Sequence, residues 1–189
     1  MKRKADHPIQ DIILNRWSPR AMTGEPISDD VLMSLFEAAR WAPSSYNAQP
    51  WRFIYAKQKT PAFEKMMSVM TDFNKTWTNK AAVLGLIISR KFFESNGKPA
   101  HTHAFDTGAA WENLALEGTS RGLVIHGMEG FDYAKARQTF QVPEEYEVLA
   151  MFAVGVHAPA STLSPELQKR ESPSDRKKIE EFIMKDHFR

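Results

Sequence analysis

Three short runs carry side chains able to do chemistry. Arg16-Trp17-Ser18-Pro19-Arg20 sets two guanidiniums and a hydroxyl close together in the chain, and Arg176 adds another in the C-terminal basic segment. Arginine makes bidentate, charge-assisted bonds to phosphate or carboxylate and keeps its charge at any working pH. The run from Ala42 to Trp51 concentrates small polar side chains, Pro43, Ser44, Ser45 and Asn47 among them, in a tight turn. Gly127-Met128-Glu129-Gly130-Phe131-Asp132 places a carboxylate next to a glycine. Taken singly these features are unremarkable: Arg16 and Arg20 are surface charges, the loop is punctuation, and Glu129-Gly130 is a turn. Their weight comes from occurring together and in this order.

Other patterns compete with them. Gly118-Thr119-Ser120-Arg121-Gly122 satisfies the G-x-S-x-G pattern of hydrolases, but that nucleophile needs strand, turn, then helix. Here the order is helix, turn, strand, so Ser120 falls at the negative end of a helix dipole and Gly122 reads as a C-cap. His101, His103 and Asp106 have metal-ligating side chains, yet their surface context favours a solvated group. Neither a Walker motif nor G-x-G-x-x-G is present, which leaves a permanent dinucleotide site of Rossmann type unsupported.

The elements that must position these residues are legible in outline. Ser28 is a plausible N-cap for a helix over Asp29–Trp41, whose Val31, Leu32, Leu35, Phe36 and Ala39 share a face, and Pro43 ends it. Trp51–Lys57 is aromatic and β-branched, as a strand should be. Further helices are expected near Ile9–Asn15, Ala62–Met70, His103–Arg121 and Asp132–Phe140. Strands are expected at Val83–Ser89, Leu123–His126 and Glu147–Val156. The small residues Gly108, Ala109, Ala110, Ala115 and Gly118 hint at close packing of the long helix. Lys91–His103, with Asn96-Gly97-Lys98-Pro99, reads as a mobile excursion, and Pro159–Ser174 as a surface connection before a tail with helical spacing. Helices and strands that do not strictly alternate indicate an α+β fold.

Composition bounds the function. A chain of 189 residues with 42% hydrophobic residues can bury about 70% of the surface its unfolded form exposes, and is expected to form one domain. Cysteine is absent, which excludes thiolate catalysis, thiolate metal sites and disulfides. The longest apolar stretch, Ala81–Ile88, is too short for a membrane helix, and no secretion signal is apparent, so the expected compartment is the cytoplasm. With a net charge of +2 and scattered basic residues, neither nucleic acid nor a membrane is an expected partner.

In residue order, the Arg16–Arg20 run, the Pro43–Trp51 loop and the Gly122–Asp132 segment resemble the FMN-dependent nitroreductase family, with Arg176 a weaker fourth match. The resemblance spans roughly Pro8 to the C-terminus. It implies a mixed β-sheet flanked by helices, in an intertwined homodimer with exchanged C-terminal segments. It implies FMN as cofactor, NADH or NADPH as hydride donor stacking transiently on the flavin, and a small-molecule electron acceptor: a nitroaromatic, a quinone or a related conjugated electrophile. By the same resemblance Arg16, Trp17, Ser18 and Arg176 meet the phosphate and ribityl end. Arg20 stands near the pyrimidine edge as the electrophilic partner, with Asn74 bonding that edge. Met128, Glu129 and Gly130 lie beside the ring, and Pro43, Ser44, Ser45 and Asn47 reach the flavin of the other subunit. Trp17 within the arginine motif and Trp77, where a basic residue is often found, depart from the best-known members. Enal or aldehyde reductases, dehalogenase-like enzymes and a non-enzymatic flavin-binding module are the alternatives on the same fold.

Overall fold

A computed structural model describes residues 3–188. Four strands, β1 (Trp51–Lys57), β2 (Val83–Arg90), β3 (Leu123–Met128) and β4 (Tyr146–Val156), form one sheet in the order β1-β2-β4-β3. Every ladder is antiparallel, so the mixed sheet expected from the resemblance is not found among the described residues. The reason lies in the connections: β1 to β2 and β3 to β4 re-enter the sheet at the end they left, while the crossover through α5 sets β3 parallel to β2 but beside β4 instead of beside β2.

The helices are α1 (Asp11–Asn15), α2 (Asp29–Arg40), α3 (Pro61–Val69), α4 (Asp72–Thr78), α5 (His103–Ser120), α6 (Tyr133–Thr139) and α7 (Pro165–Gln168). Side-chain caps set several of their starts: the Ser28 hydroxyl accepts from the Val31 N–H at 3.3 Å, and the Asp132 carboxylate accepts from Lys135 at 2.9 Å. Thr60 caps α3, and Pro61 sits where a missing N–H costs nothing.

Strand alternation divides the core between the two faces. On one, Leu84, Leu86, Val124 and Met151 pack with Met66 of α3, Trp77 of α4 and Ala136 of α6. On the other, Val83, Ile125, Phe152 and Val154 pack with Leu32 and Leu35 of α2 and Leu114 of α5. A register shift leaves Leu149 outside the β2–β4 pairing, since Ile87 pairs Ala150 and Ile88 pairs Val148. That bulge reverses the alternation, which is why Val148 and Met151 reach the same core although an even number does not separate them.

Lys91–His103 is not the free excursion its composition suggests. Phe92 bridges Pro99, and the Ala100 N–H bonds the Lys91 carbonyl at 2.8 Å, closing a small hairpin. Helix α4 is an element the sequence reading left unassigned, and the tail contains only a short 3₁₀ turn at Ile179–Glu181. Among the described residues no helix is long and apolar enough to cross a membrane.

The layers approach closely at two glycines. A Cβ on Gly118 of α5 would lie 2.3 Å from Ile125 of β3, and one on Gly85 would lie 2.3 Å from the Phe152 ring and 2.7 Å from the Ile54 carbonyl oxygen. Because backbone cannot yield as a side-chain tip does, Gly85→Ala should lower stability by at least about 1–3 kcal/mol in urea unfolding. An unchanged midpoint would contradict this packing.

Candidate anion-binding site

After α1 the chain runs extended, and its contacts pin it residue by residue. Arg16 pairs with Glu112 of α5 at 3.3 Å and donates to the Ser18 hydroxyl at 3.4 Å. The ring of His126, on β3, bonds the Pro19 carbonyl through Nδ1 at 2.8 Å. A carbonyl only accepts, so Nδ1 carries the proton. Glu171 accepts from the backbone N–H of Arg20 at 2.7 Å and of Ala21 at 2.9 Å. Met22 then bridges His157, just past β4.

This pinning turns the arginines inward. Arg3, Arg16, Arg20, Arg170 and Arg176 line one recess of about 270 Å³. Trp17, Ser18, His126, Ser172 and Ser174 complete it, and no carboxylate is among its lining residues. Burial, then the charges of Arg176 and Arg16, holds the Arg3 guanidinium below its ordinary pKa. Arg20 lies 6.0 Å over the Trp77 ring, and its Nε is buried with no hydrogen-bond partner. Trp77 in turn stacks on His126 at 4.5 Å between ring centroids. The position marked as a departure from the family is thus a buried support under Arg20.

Asn74 and Gly130 meet beside this stack. The Gly130 carbonyl accepts from the Thr71 N–H at 3.0 Å, the Thr71 hydroxyl at 3.1 Å and the Asn74 amide at 3.0 Å. A Cβ on Gly130 would lie 2.6 Å from that amide nitrogen and 3.0 Å from the Thr71 hydroxyl, so a side chain there would displace the two groups that bond its carbonyl. Met128 is buried at the end of β3, while Glu129 is exposed.

The Pro43–Asn47 loop lies elsewhere. It precedes β1, the edge strand opposite β3, and none of its residues lines the arginine recess. Tyr46, Asn47 and Gln49 all have φ near +50°, a conformation costing on the order of 1–3 kcal/mol per non-glycine residue. Asp106 holds this strained turn by accepting the Ser45 N–H at 3.1 Å, and Ser44 accepts from Gln49 at 3.0 Å.

The competing patterns resolve. Asp106 is buried rather than solvated, His103 bonds Ser89 at 2.7 Å, and His101 is exposed. Among the described residues no cluster of metal-ligating groups forms. Gly122 has φ +73° and caps α5, and the Ser120 hydroxyl donates back to Glu117, so neither serves a nucleophile. Sequence reasoning missed Arg3, Arg170, Glu171, Ser172 and Ser174, which stand in no recognisable local pattern, and gave His126 no role although it lies within the Gly122–Asp132 segment.

Comparison with known proteins agrees with this geometry. A family model described as the nitroreductase family matches residues 13–156. A solved oxidoreductase containing FMN is 34% identical, with a TM-score of 0.94 over 99% of this chain and 96% of that one. A protein of Archaeoglobus fulgidus, provisionally named an NADH dehydrogenase/NAD(P)H nitroreductase, is 28% identical over 150 residues, 76% of this chain and 82% of its own. A protein of Bacillus subtilis, provisionally named an NAD(P)H nitroreductase, is 38% identical over 52 residues, and the match spans 27% of its length. The fold, the basic recess and these likenesses define an oxidoreductase. The chain belongs to the nitroreductase family.

Burial holds His126 down to about 4, against an ordinary value of 6.5, with Arg20 and Arg16 adding to the effect and the Pro19 carbonyl opposing it. Below pH 6.5 the unfolded chain takes up this proton and the folded chain does not. Its contribution to stability is therefore complete above 6.5 and is lost as pH falls toward 4, at up to about 1.4 kcal/mol per pH unit. Between pH 7.5 and 5, denaturant unfolding should show the wild type losing about 2 kcal/mol more than His126→Gln. Equal losses would show that His126 is not kept neutral.

Proposed function

We propose that the protein is an FMN-dependent oxidoreductase that draws hydride from NADH or NADPH. It delivers hydride in ping-pong fashion to nitroaromatics, quinones or related conjugated electrophiles. The observation that carries this reading is the recess itself, where arginines from both ends of the chain converge with serines and no carboxylate. Such a donor set fits a terminal phosphate dianion. FMN, when bound, supplies the redox chemistry, and the protein supplies orientation and electrostatics.

Arg16, Trp17, Ser18 and Arg176 would hold the phosphate and ribityl end, with Arg3 and Arg170 reinforcing them. Arg20 would stabilise the negative charge of the reduced pyrimidine edge, because its guanidinium is held by packing on Trp77 and its Nε has no protein partner. Asn74, which bonds the Gly130 carbonyl, would meet that edge, and the bare backbone of Gly130, next to Met128 and Glu129, would let its N–H approach the ring. Pro43, Ser44, Ser45 and Asn47 stand at the far edge of their own sheet, which supports their serving the site of a second copy. Exposure of Ile9, Ile13, Phe182, Ile183 and Phe188 supports the same homodimer, with C-terminal segments exchanged. We read the chain as one such domain, working in the cytoplasm on small molecules.

Two arginines should separate binding from chemistry. Arg20→Ala should lower the flavin midpoint potential and slow hydride uptake about tenfold to a hundredfold, with a smaller loss of oxidised-flavin affinity. Arg176→Ala should weaken FMN binding with little change in potential. Spectroelectrochemical titration and rapid mixing with NADH read both, and an unchanged potential in Arg20→Ala would remove Arg20 from the redox step.

A further inference from the structure

We infer that Glu171 is the positioning residue for Arg20. The inference rests on the proposed role of Arg20 beside the flavin. Its basis is a choice made by the carboxylate. Glu171 follows Arg170, a residue of the recess whose guanidinium lies 5.6 Å over the Phe73 ring, and a carboxylate in such basic surroundings ordinarily pairs with a guanidinium. Instead Oε1 takes two successive peptide N–H groups, those of Arg20 and Ala21, across some 150 residues of chain. Its other oxygen, Oε2, is buried without a partner.

That choice has two consequences. The Arg20 backbone is fixed by charge-assisted bonds, while the Arg20 guanidinium is left without Glu171 as an ion-pair partner. Its Nε has no hydrogen bond, and Trp77 offers only packing, so the direction of the charge depends on where the backbone is held. Second, Glu171 lies between Arg170 and Ser172, both of which line the recess. The contact that fixes Arg20 therefore also seats the C-terminal wall against the extended Arg16–Arg20 segment. His126 pins the preceding carbonyl, that of Pro19, so consecutive residues of the segment are held by two different partners.

A carboxylate that merely anchored the tail would affect Arg20 and every other wall residue alike, and a double-mutant cycle separates the two roles. Glu171→Gln keeps an oxygen for both N–H groups, and should preserve slow amide exchange at Arg20 and Ala21 and flavin reduction within about twofold. Glu171→Ala should expose both amides to exchange and slow hydride uptake from NADH about tenfold. In an Arg20→Ala background, Glu171→Ala should slow uptake no further. An equal slowing with and without Arg20 would overturn the inference, and so would unaltered amide exchange in Glu171→Ala. The exchange arm needs no flavin. A wild type that takes up no FMN would defeat the proposed function, and the grip of Glu171 on Arg20 would still be decided.

Discussion

Repulsion among like charges in one recess is the constraint that the rest of the site answers. Five arginines line the same small volume, and the Arg3 guanidinium is held below its ordinary pKa first by burial and then by the charges of Arg176 and Arg16. The protein relieves the repulsion without filling the recess. Glu112 pairs Arg16 from outside, and Arg3 spends its donors on the carbonyls of Leu14, Arg16 and Ser174. Glu171 takes backbone amides and leaves the neighbouring guanidiniums free. What remains is net positive charge that only an anion can neutralise, so occupancy and stability are linked: an anion that binds the folded chain must stabilise it.

Holding those arginines in place falls to the β3 edge of the sheet. His126 reaches from β3 to the Pro19 carbonyl, packs at a tilt against Trp77 of α4, and so ties the extended arginine segment to the helix that carries Asn74, the partner of Gly130. The close approach of α5 to β3 at Gly118 sets the depth of this edge. At the opposite edge the strained loop before β1 is anchored by buried Asp106. Two sites of precise backbone geometry thus lie on opposite edges of one sheet.

Much of this was legible where the signal was local. The cap at Ser28, the apolar face of α2, the aromatic run of β1 and the C-cap at Gly122 each rest on a few adjacent residues, and their elements lie within a residue or so of expectation. Arg16, Ser18 and Arg20 were legible as a motif in order, and Arg176 more faintly. Glu171 and Arg3 were not, because their partners lie far away in the chain and only the folded backbone brings them near. Trp77 looked like a departure from type because sequence shows its side chain but not that it lies beneath Arg20. Asp106 looked solvated for a similar reason: its partner, the Ser45 amide, belongs to a loop some sixty residues earlier.

The central claim, that the arginine recess holds the phosphate of FMN, is tested most directly by titrating the purified protein with FMN and with riboflavin, which differs by lacking the phosphate. The account predicts that FMN binds with micromolar affinity or tighter at one per chain, and that riboflavin binds at least about a hundredfold more weakly, since several charge-assisted bonds are lost. Equal affinity for the two, or no uptake of either, would contradict it.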